Sequence, residues 1–288
     1  MKQIRNSTNN INSFEIPKRI IITGKILQFF SKNLATMFAG KIFSTPLKFE
    51  TPERELMMRK SAKSELIEIP KLQKKIMLYT YGFSKKKVLI VHGWAGRGTQ
   101  LVQLADKILE NKMMVISFDA PAHGLSKGKR TSISDFIETI EEINKTYGPF
   151  EAAIGHSFGG MTLLNSVSRG MRINKLVTIG TDNSISEIFK LQIKKIGLKP
   201  VIANKLVSTF EEKHKAKVDS FSSEKVALNI NIPTLVIHDS QDKYASVSSA
   251  LTIRQNLKYG QILITNGLGH HKIFKNSMVI QRIIDFIK

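Results

Sequence analysis

The 288-residue chain contains no cysteine and only one tryptophan. Without a thiol it can form no disulfide, build no thiolate zinc site and use no cysteine nucleophile. The same absence fits a reducing compartment, and a cytoplasmic location is expected. The chain also lacks the ~20 uncharged apolar residues that a bilayer crossing needs. Its early apolar stretch is interrupted by Lys25 and Lys32, and the polar residues 1–17 have neither the h-region nor the cleavage site of a secretory leader. Acidic residues are scarce, 23 against 44 Lys and Arg, for a net charge of +21. Such an excess attracts nucleic acid and anionic membranes. Here, however, the lysines are scattered through a chain also rich in Ile and Asn, and runs such as Ser84-Lys85-Lys86-Lys87 are short. No aromatic–basic interleaving accompanies them, so no specific nucleic-acid binding is expected. Internal repeats and low-complexity segments are absent as well.

What is present is an apolar fraction of 42%, enough for a sizeable core. Residues 18–43 read as one helix with Ile22, Ile26, Phe29, Phe30, Leu34 and Phe38 on a single face. Its lysines would allow an interfacial membrane helix. Packing of that face on the domain is the expected use, and peripheral membrane contact is not favoured. From residue 66 the pattern changes. Leu66–Ile69 and Ile76–Tyr81 read as strands that open a sheet. Val88–His92, Met113–Phe118, Phe150–Ile154, Lys175–Ile179, Thr234–Ile237 and Gln261–Thr265 are short apolar runs of the kind buried on both faces of a parallel sheet. Helices are expected over 99–110, 132–147, 158–169 and 277–287, and this alternation predicts right-handed crossovers. More than fifty residues separate Ile179 from Thr234, too many for a simple crossover. Stripes through Ile185, Ile188, Phe189, Ile193 and Ile196, then Ile202, Leu206 and Phe210, mark residues 183–229 as a helical cap. The expected organisation is therefore an N-terminal helical extension (1–64), a core (65–182 and 230–288) and that cap.

The strongest chemical signal is Gly155-His156-Ser157-Phe158-Gly159-Gly160, directly after a buried strand and before a helix. A serine hydroxyl becomes a nucleophile when a base takes its proton and its oxygen is presented cleanly. A sharp strand-to-helix turn presents it, and small residues two before and two after permit the turn. Of seven histidines, His270 and His271 lie in the glycine-rich loop after the last strand, at the carboxyl edge where open α/β sheets place their sites. A carboxylate must hold the base in its tautomer. Asp239 and Asp242 follow one strand and Asp182 another, although turn or cap duty is the commoner fate of a loop aspartate. An oxyanion would rest on the backbone N–H of Phe158 and of Trp94, in His92-Gly93-Trp94-Ala95-Gly96. Gly93-x-x-Gly96-x-Gly98 lacks the Lys-Ser/Thr of a phosphate loop.

Taken together, these segments resemble the bacterial α/β-hydrolases of the serine esterase–lipase type. Val88–Trp94 is similar to the family's oxyanion segment and Asp119–Ser126 to its D-x-P-x-H-G-x-S loop. Gly155–Gly159 is similar to its elbow, Ile237–Asp242 to its acid loop and Gly267–His270 to its histidine loop. The resemblance covers roughly residues 65–288. Lys243-Tyr244-Ala245 departs from the Val-Pro that often follows the acid. It implies an α/β-hydrolase fold, a mostly parallel central sheet flanked by helices with a small cap. It also implies a triad of Ser157, Asp242 and His270 acting on a carboxylic ester or thioester through an acyl-enzyme, with no metal or cofactor. The implied partner is a small acyl substrate, and the apolar stripes of the cap together with Phe158 and Trp94 point to an apolar acyl group. A cofactor-free acyltransferase using the same triad, or a non-catalytic binding protein on the same fold, are the alternatives.

Overall fold

The computed structural model describes residues 16–288; most of the segment read as polar over residues 1–17 lies outside them. Strands β1 (Lys63–Ile69), β2 (Lys74–Tyr81), β3 (Lys87–Val91), β4 (Met114–Asp119), β5 (Phe150–His156), β6 (Ile173–Ile179), β7 (Thr234–Asp239) and β8 (Gly260–Thr265) form one sheet. Their order is β1-β2-β4-β3-β5-β6-β7-β8. β2 pairs antiparallel with β1 and β4, and every pairing from β4 to β8 is parallel. The mostly parallel sheet expected from the alternating apolar runs is therefore the one observed.

The helices are α1 (Lys18–Phe30), α2 (Lys32–Ser44), α3 (Glu53–Ser61), α4 (Val102–Glu110), α5 (Ile133–Tyr147) and α6 (Phe158–Ser168). They continue with α7 (Ile185–Lys195), α8 (Pro200–His214), α9 (Ser223–Ala227), α10 (Val247–Asn256), α11 (Gly269–Lys272) and α12 (Ser277–Ile287). Alternation along the strands sends side chains into two cores, one on each face of the sheet. Leu89 and Val91 pack with Phe136, Ile140 and Leu163 of α5 and α6. Val88 and Ile90 pack with Leu104 and Ile108 of α4 and with Ile283 and Ile284 of α12. Both faces being covered explains why the central strands read as unbroken apolar runs.

Two compact units emerge from the fold. One joins the described residues through Gly40 to Ser186–His214; the other holds Lys41–Ile185 and Lys215–Lys288, with the whole sheet. Within the first unit, the single helix expected over 18–43 is broken at Ser31, whose backbone is extended (φ −158°, ψ 125°). The Ser31 hydroxyl accepts from the Leu34 N–H, which gives α2 its own start. The packed face also differs from the expected one. Gly24, Ala35, Thr36 and Ala39 are buried, whereas Ile22, Ile26, Phe29, Phe30 and Leu34 are exposed. Small residues win the interior because they let helices approach closely: a Cβ on Gly24 would lie 3.2 Å from the Leu198 side chain, and one on Gly40 3.3 Å from Leu206.

Candidate active site

The loops at the carboxyl ends of β3, β5, β6, β7 and β8 carry the residues singled out from the sequence. Ser157 stands between β5 and α6 with φ 53° and ψ −120°, a conformation side chains rarely adopt. The turn holds because its amide donates to the Ile179 carbonyl (2.7 Å) while its carbonyl accepts from Gly160 (3.0 Å). Two glycines make that geometry accessible. A Cβ on Gly155 would sit 2.6 Å from the Gly159 carbonyl carbon, and one on Gly159 would sit 2.4 Å from the Val91 oxygen. The α6 N-terminus begins immediately after the serine, with no side-chain cap hydrogen bond from it.

His270 and Asp242 come together across 28 residues of sequence. His270 Nδ1 lies 2.6 Å from Asp242 Oδ2, with both side chains buried. An ionised carboxylate only accepts, so Nδ1 carries the hydrogen of this bond. The other oxygen of Asp242 accepts from the amides of Tyr244 (2.7 Å) and Ala245 (3.1 Å). The Lys243-Tyr244-Ala245 departure thus closes the turn around the carboxylate. Burial alone would raise the Asp242 pKa, but the bond from His270, its charge and the two amides outweigh it and hold the group below its ordinary value.

The other sequence candidates do different work. Asp239 accepts from Gln241 N, Thr265 Oγ1 and Leu268 N, which ties the acid loop to the loop after β8. Burial would raise its pKa; the hydrogen bonds it accepts from Thr265 and backbone amides instead pull it down to about 2. Asp182 accepts from Asn183 N and Ser249 Oγ, and burial raises its pKa. His271, the neighbour of His270, stacks edge-on to Tyr244 at 5.2 Å, and burial pushes it down to about 4.

Several histidines brace the site from below. His156 Nε2–H donates to the His270 carbonyl (3.0 Å), and its ring lies 4.7 Å from that of His270. His92 Nδ1–H donates to the Gly93 carbonyl (2.7 Å), and Nε2 accepts from Ala120 N (3.0 Å). His123 Nε2 accepts from Ala95 N (3.0 Å), and Nδ1–H donates to Pro121 O (3.1 Å). Burial holds His92 below its ordinary pKa, and His123 and His156 well below theirs. Trp94 meets Phe158 edge to face at 5.4 Å, beside the elbow, and a Cβ on Gly93 would fall 3.1 Å from the Ser157 Cβ.

Two further carboxylates shape the loop after β3, and sequence reasoning gave neither a role there. Asp119 accepts from Gly98 N (2.7 Å), Tyr79 OH (3.0 Å) and Leu125 N (2.7 Å). Glu55 on α3, fully buried, accepts from Arg97 Nε (2.6 Å) and Nη2 (3.1 Å) and from Thr99 Oγ1 (2.9 Å). Asp119 had a signal, its place in the D-x-P-x-H-G-x-S loop. Glu55 had none, since nothing local in Pro52-Glu53-Arg54-Glu55 points to a partner 42 residues away. Among the described residues, no group of three or more His, Asp or Glu is arranged to hold a metal ion.

A strand order with antiparallel β1 and β2 at one edge, parallel strands beyond, and a serine elbow after β5 is the alpha/beta hydrolase fold. Residues 86–216 match the family model described as alpha/beta hydrolase fold. A monoglyceride lipase homolog of Monkeypox virus is 21% identical over 234 residues, which cover 66% of this chain and 83% of that protein. The monoglyceride lipase of Rattus norvegicus is 23% identical over 167 residues, covering 52% of this chain and 55% of that protein. The chain therefore spans about half the length of the rat relative and most of the viral one. An esterase structure from Exiguobacterium antarcticum superposes with a TM-score of 0.61 at 14% identity, covering 78% of this chain and 99% of that one. Likeness at that level of identity shows the fold.

Proposed function

We propose that the chain is a serine hydrolase of carboxylic esters, with Ser157 as nucleophile, His270 as base and Asp242 as the group that orients the base. The observation that carries this reading is the 2.6 Å bond from His270 Nδ1 to Asp242, which leaves Nε2 as the proton acceptor. Lipases and an esterase among the similar proteins support an ester as the substrate class.

In this mechanism Ser157 Oγ attacks the ester carbonyl carbon as its proton passes to His270 Nε2. The carbonyl oxygen becomes an oxyanion held by the N–H groups of Trp94 and Phe158. Ala95 N is already committed to His123, which favours Trp94 as the donor from the loop after β3. Collapse expels the alcohol, which takes the proton from His270. Water then gives a proton to the same nitrogen as it attacks the acyl carbon. Collapse breaks the bond to Ser157 Oγ, which takes that proton back from His270 as the acid leaves. Each donor to the oxyanion contributes on the order of 3 kcal/mol to the barrier reduction. Residues 183–229 are read as the cap and residues 1–64 as an N-terminal extension to this core.

The test is hydrolysis of p-nitrophenyl esters from acetate to palmitate by the wild type and by Ser157→Ala. Turnover should disappear in the variant, and a fluorophosphonate should label the wild type at Ser157. Equal inactivity of both proteins, with no labelling, would replace this reading with a binding function on the same fold.

A further inference from the structure

The helices of the smaller unit leave an apolar face open. α1 and α2 use Gly24, Ala35, Thr36 and Ala39 toward the interior of that unit. On the other side stand Ile22, Ile26, Phe29, Phe30, Leu34 and Met37, each between 47% and 85% exposed. The spacing from 22 to 26 to 29 and 30 follows one helical face. Phe29 and Phe30 close α1 as a T-shaped pair with ring centroids 5.3 Å apart, and they are the two most exposed of the six. Scattered exposed apolar residues need no explanation, but four on one face of α1 that end in an aromatic pair do, with Leu34 and Met37 exposed on the next helix.

Charge identifies what covers this face. Lys18, Arg19, Lys25 and Lys32 are exposed on the same two helices, and no Asp or Glu occurs from residue 16 to residue 49. A second copy of the chain would set these cations against their own equivalents, which is unfavourable. An anionic lipid surface meets both demands: its headgroups pair with the cations, and its acyl boundary takes the phenyl rings while long lysine stems reach back to the headgroups. Among the described residues no helix is long and apolar enough to cross a membrane, so the contact lies in the plane of the interface.

We infer that the apolar face of α1 and α2, built from Ile22, Ile26, Phe29, Phe30, Leu34 and Met37 and flanked by cations, docks the protein peripherally on anionic lipid bilayers. The contact does not depend on the proposed hydrolase chemistry.

Co-sedimentation of the full chain with vesicles tests it, using phosphatidylcholine alone and phosphatidylcholine mixed with phosphatidylglycerol. The wild type should sediment with the mixed vesicles and stay largely in solution with phosphatidylcholine alone, and added salt should weaken binding. Phe29→Ser with Phe30→Ser should weaken partitioning by about 100-fold, as expected from losing two large apolar side chains at the interface. Lys25→Glu with Lys32→Glu should remove the preference for the anionic vesicles by roughly tenfold or more. Both variants should keep the wild-type circular dichroism spectrum, and Ser157→Ala should bind vesicles like the wild type. Wild type that stays in the supernatant with both vesicles overturns the inference. So does a serine pair variant that sediments as well as wild type, because lysines elsewhere then suffice. A wild-type dimer that the serine pair variant converts to monomer, with no vesicle binding, assigns the face to a second copy instead.

Discussion

Asp242 accepts one hydrogen bond from His270 and two from backbone amides, and the balance of these against burial sets both its charge and its role. Asn at this position could donate to Nδ1, which would turn the imidazole to the tautomer with hydrogen on Nε2. Asp242→Asn should therefore lower kcat for p-nitrophenyl esters by about 10⁴-fold with little change in KM, the scale seen when a triad carboxylate is amidated. Steady-state kinetics on the folded variant checks it; a loss under tenfold would mean that another carboxylate orients the base. The acid limb of stability follows from the same group. Its folded pKa lies below the ordinary value of about 3.9, so the stability it contributes is present above that value and lost as pH falls through the lower folded one. Ser157 was legible in the sequence because the elbow is a local pattern, with each glycine required by a close approach. Asp239, Asp242 and Asp182 were not separable from the residues alone. All three follow strands, and only distance in the folded chain distinguishes the one that meets His270.

Helix α3 has little apolar periodicity, and the sequence reading passed over it. Its contribution is Glu55, with Arg97 only 12% exposed across the ion pair. Removing one partner of a buried pair leaves the other as an unpaired charge, at a cost of about 3–5 kcal/mol. Glu55→Ala should lower the urea midpoint by that equivalent, and Glu55→Ala with Arg97→Ala should cost less than the sum of the single changes. Arg97 lies three residues beyond Trp94, so the single variant should also reduce kcat in the ester assay. Additive single changes would show that the pair is not coupled. Strands β3 to β7 were legible because burial on both faces writes a continuous apolar run into each. By contrast β8, expected from the sequence to be buried in the same way, is the edge strand and leaves Ile262 and Ile264 exposed. Helix α10 was missed. Its start depends on the Ser246 hydroxyl accepting from Ser248 N, a single cap with no strong apolar stripe behind it.

At the scale of the whole chain, buried neutral histidines make stability fall on acidification. His92, His123 and His156 are at most 2% exposed, and burial depresses the pKa of each. In the unfolded chain they protonate below about pH 6.5, while in the folded protein they stay neutral. The unfolded state then binds more protons, so each ring contributes a slope of about 1.4 kcal/mol per pH unit against folding as pH drops. Together their slope climbs toward about 4 kcal/mol per unit only about one pH unit below that value, where the unfolded rings are nearly all protonated. His271 adds to the slope until about pH 4, where its folded form protonates too. Urea unfolding from pH 7.5 to 4.5 should show a steep loss of stability beginning near pH 6.5. A flat profile down to pH 5 would mean that these rings become charged inside the fold.

Local chemistry in the sequence determined the alternation of strands and helices, the elbow at Ser157 and the histidine-bearing loop after the last strand. Each of these is encoded within a few neighbouring residues, as side-chain period or as a glycine demanded by one turn. Pairings across long stretches of chain were left to the tertiary structure. They include Asp242 with His270, Glu55 with Arg97, His123 with Ala95, and the choice of small residues over phenylalanines for the inner face of α1 and α2. An amphipathic pattern records that a helix has an apolar face, but packing depends on how closely another backbone can approach. Gly24 and Ala35 permit that approach, and Phe29 and Phe30 remain outside.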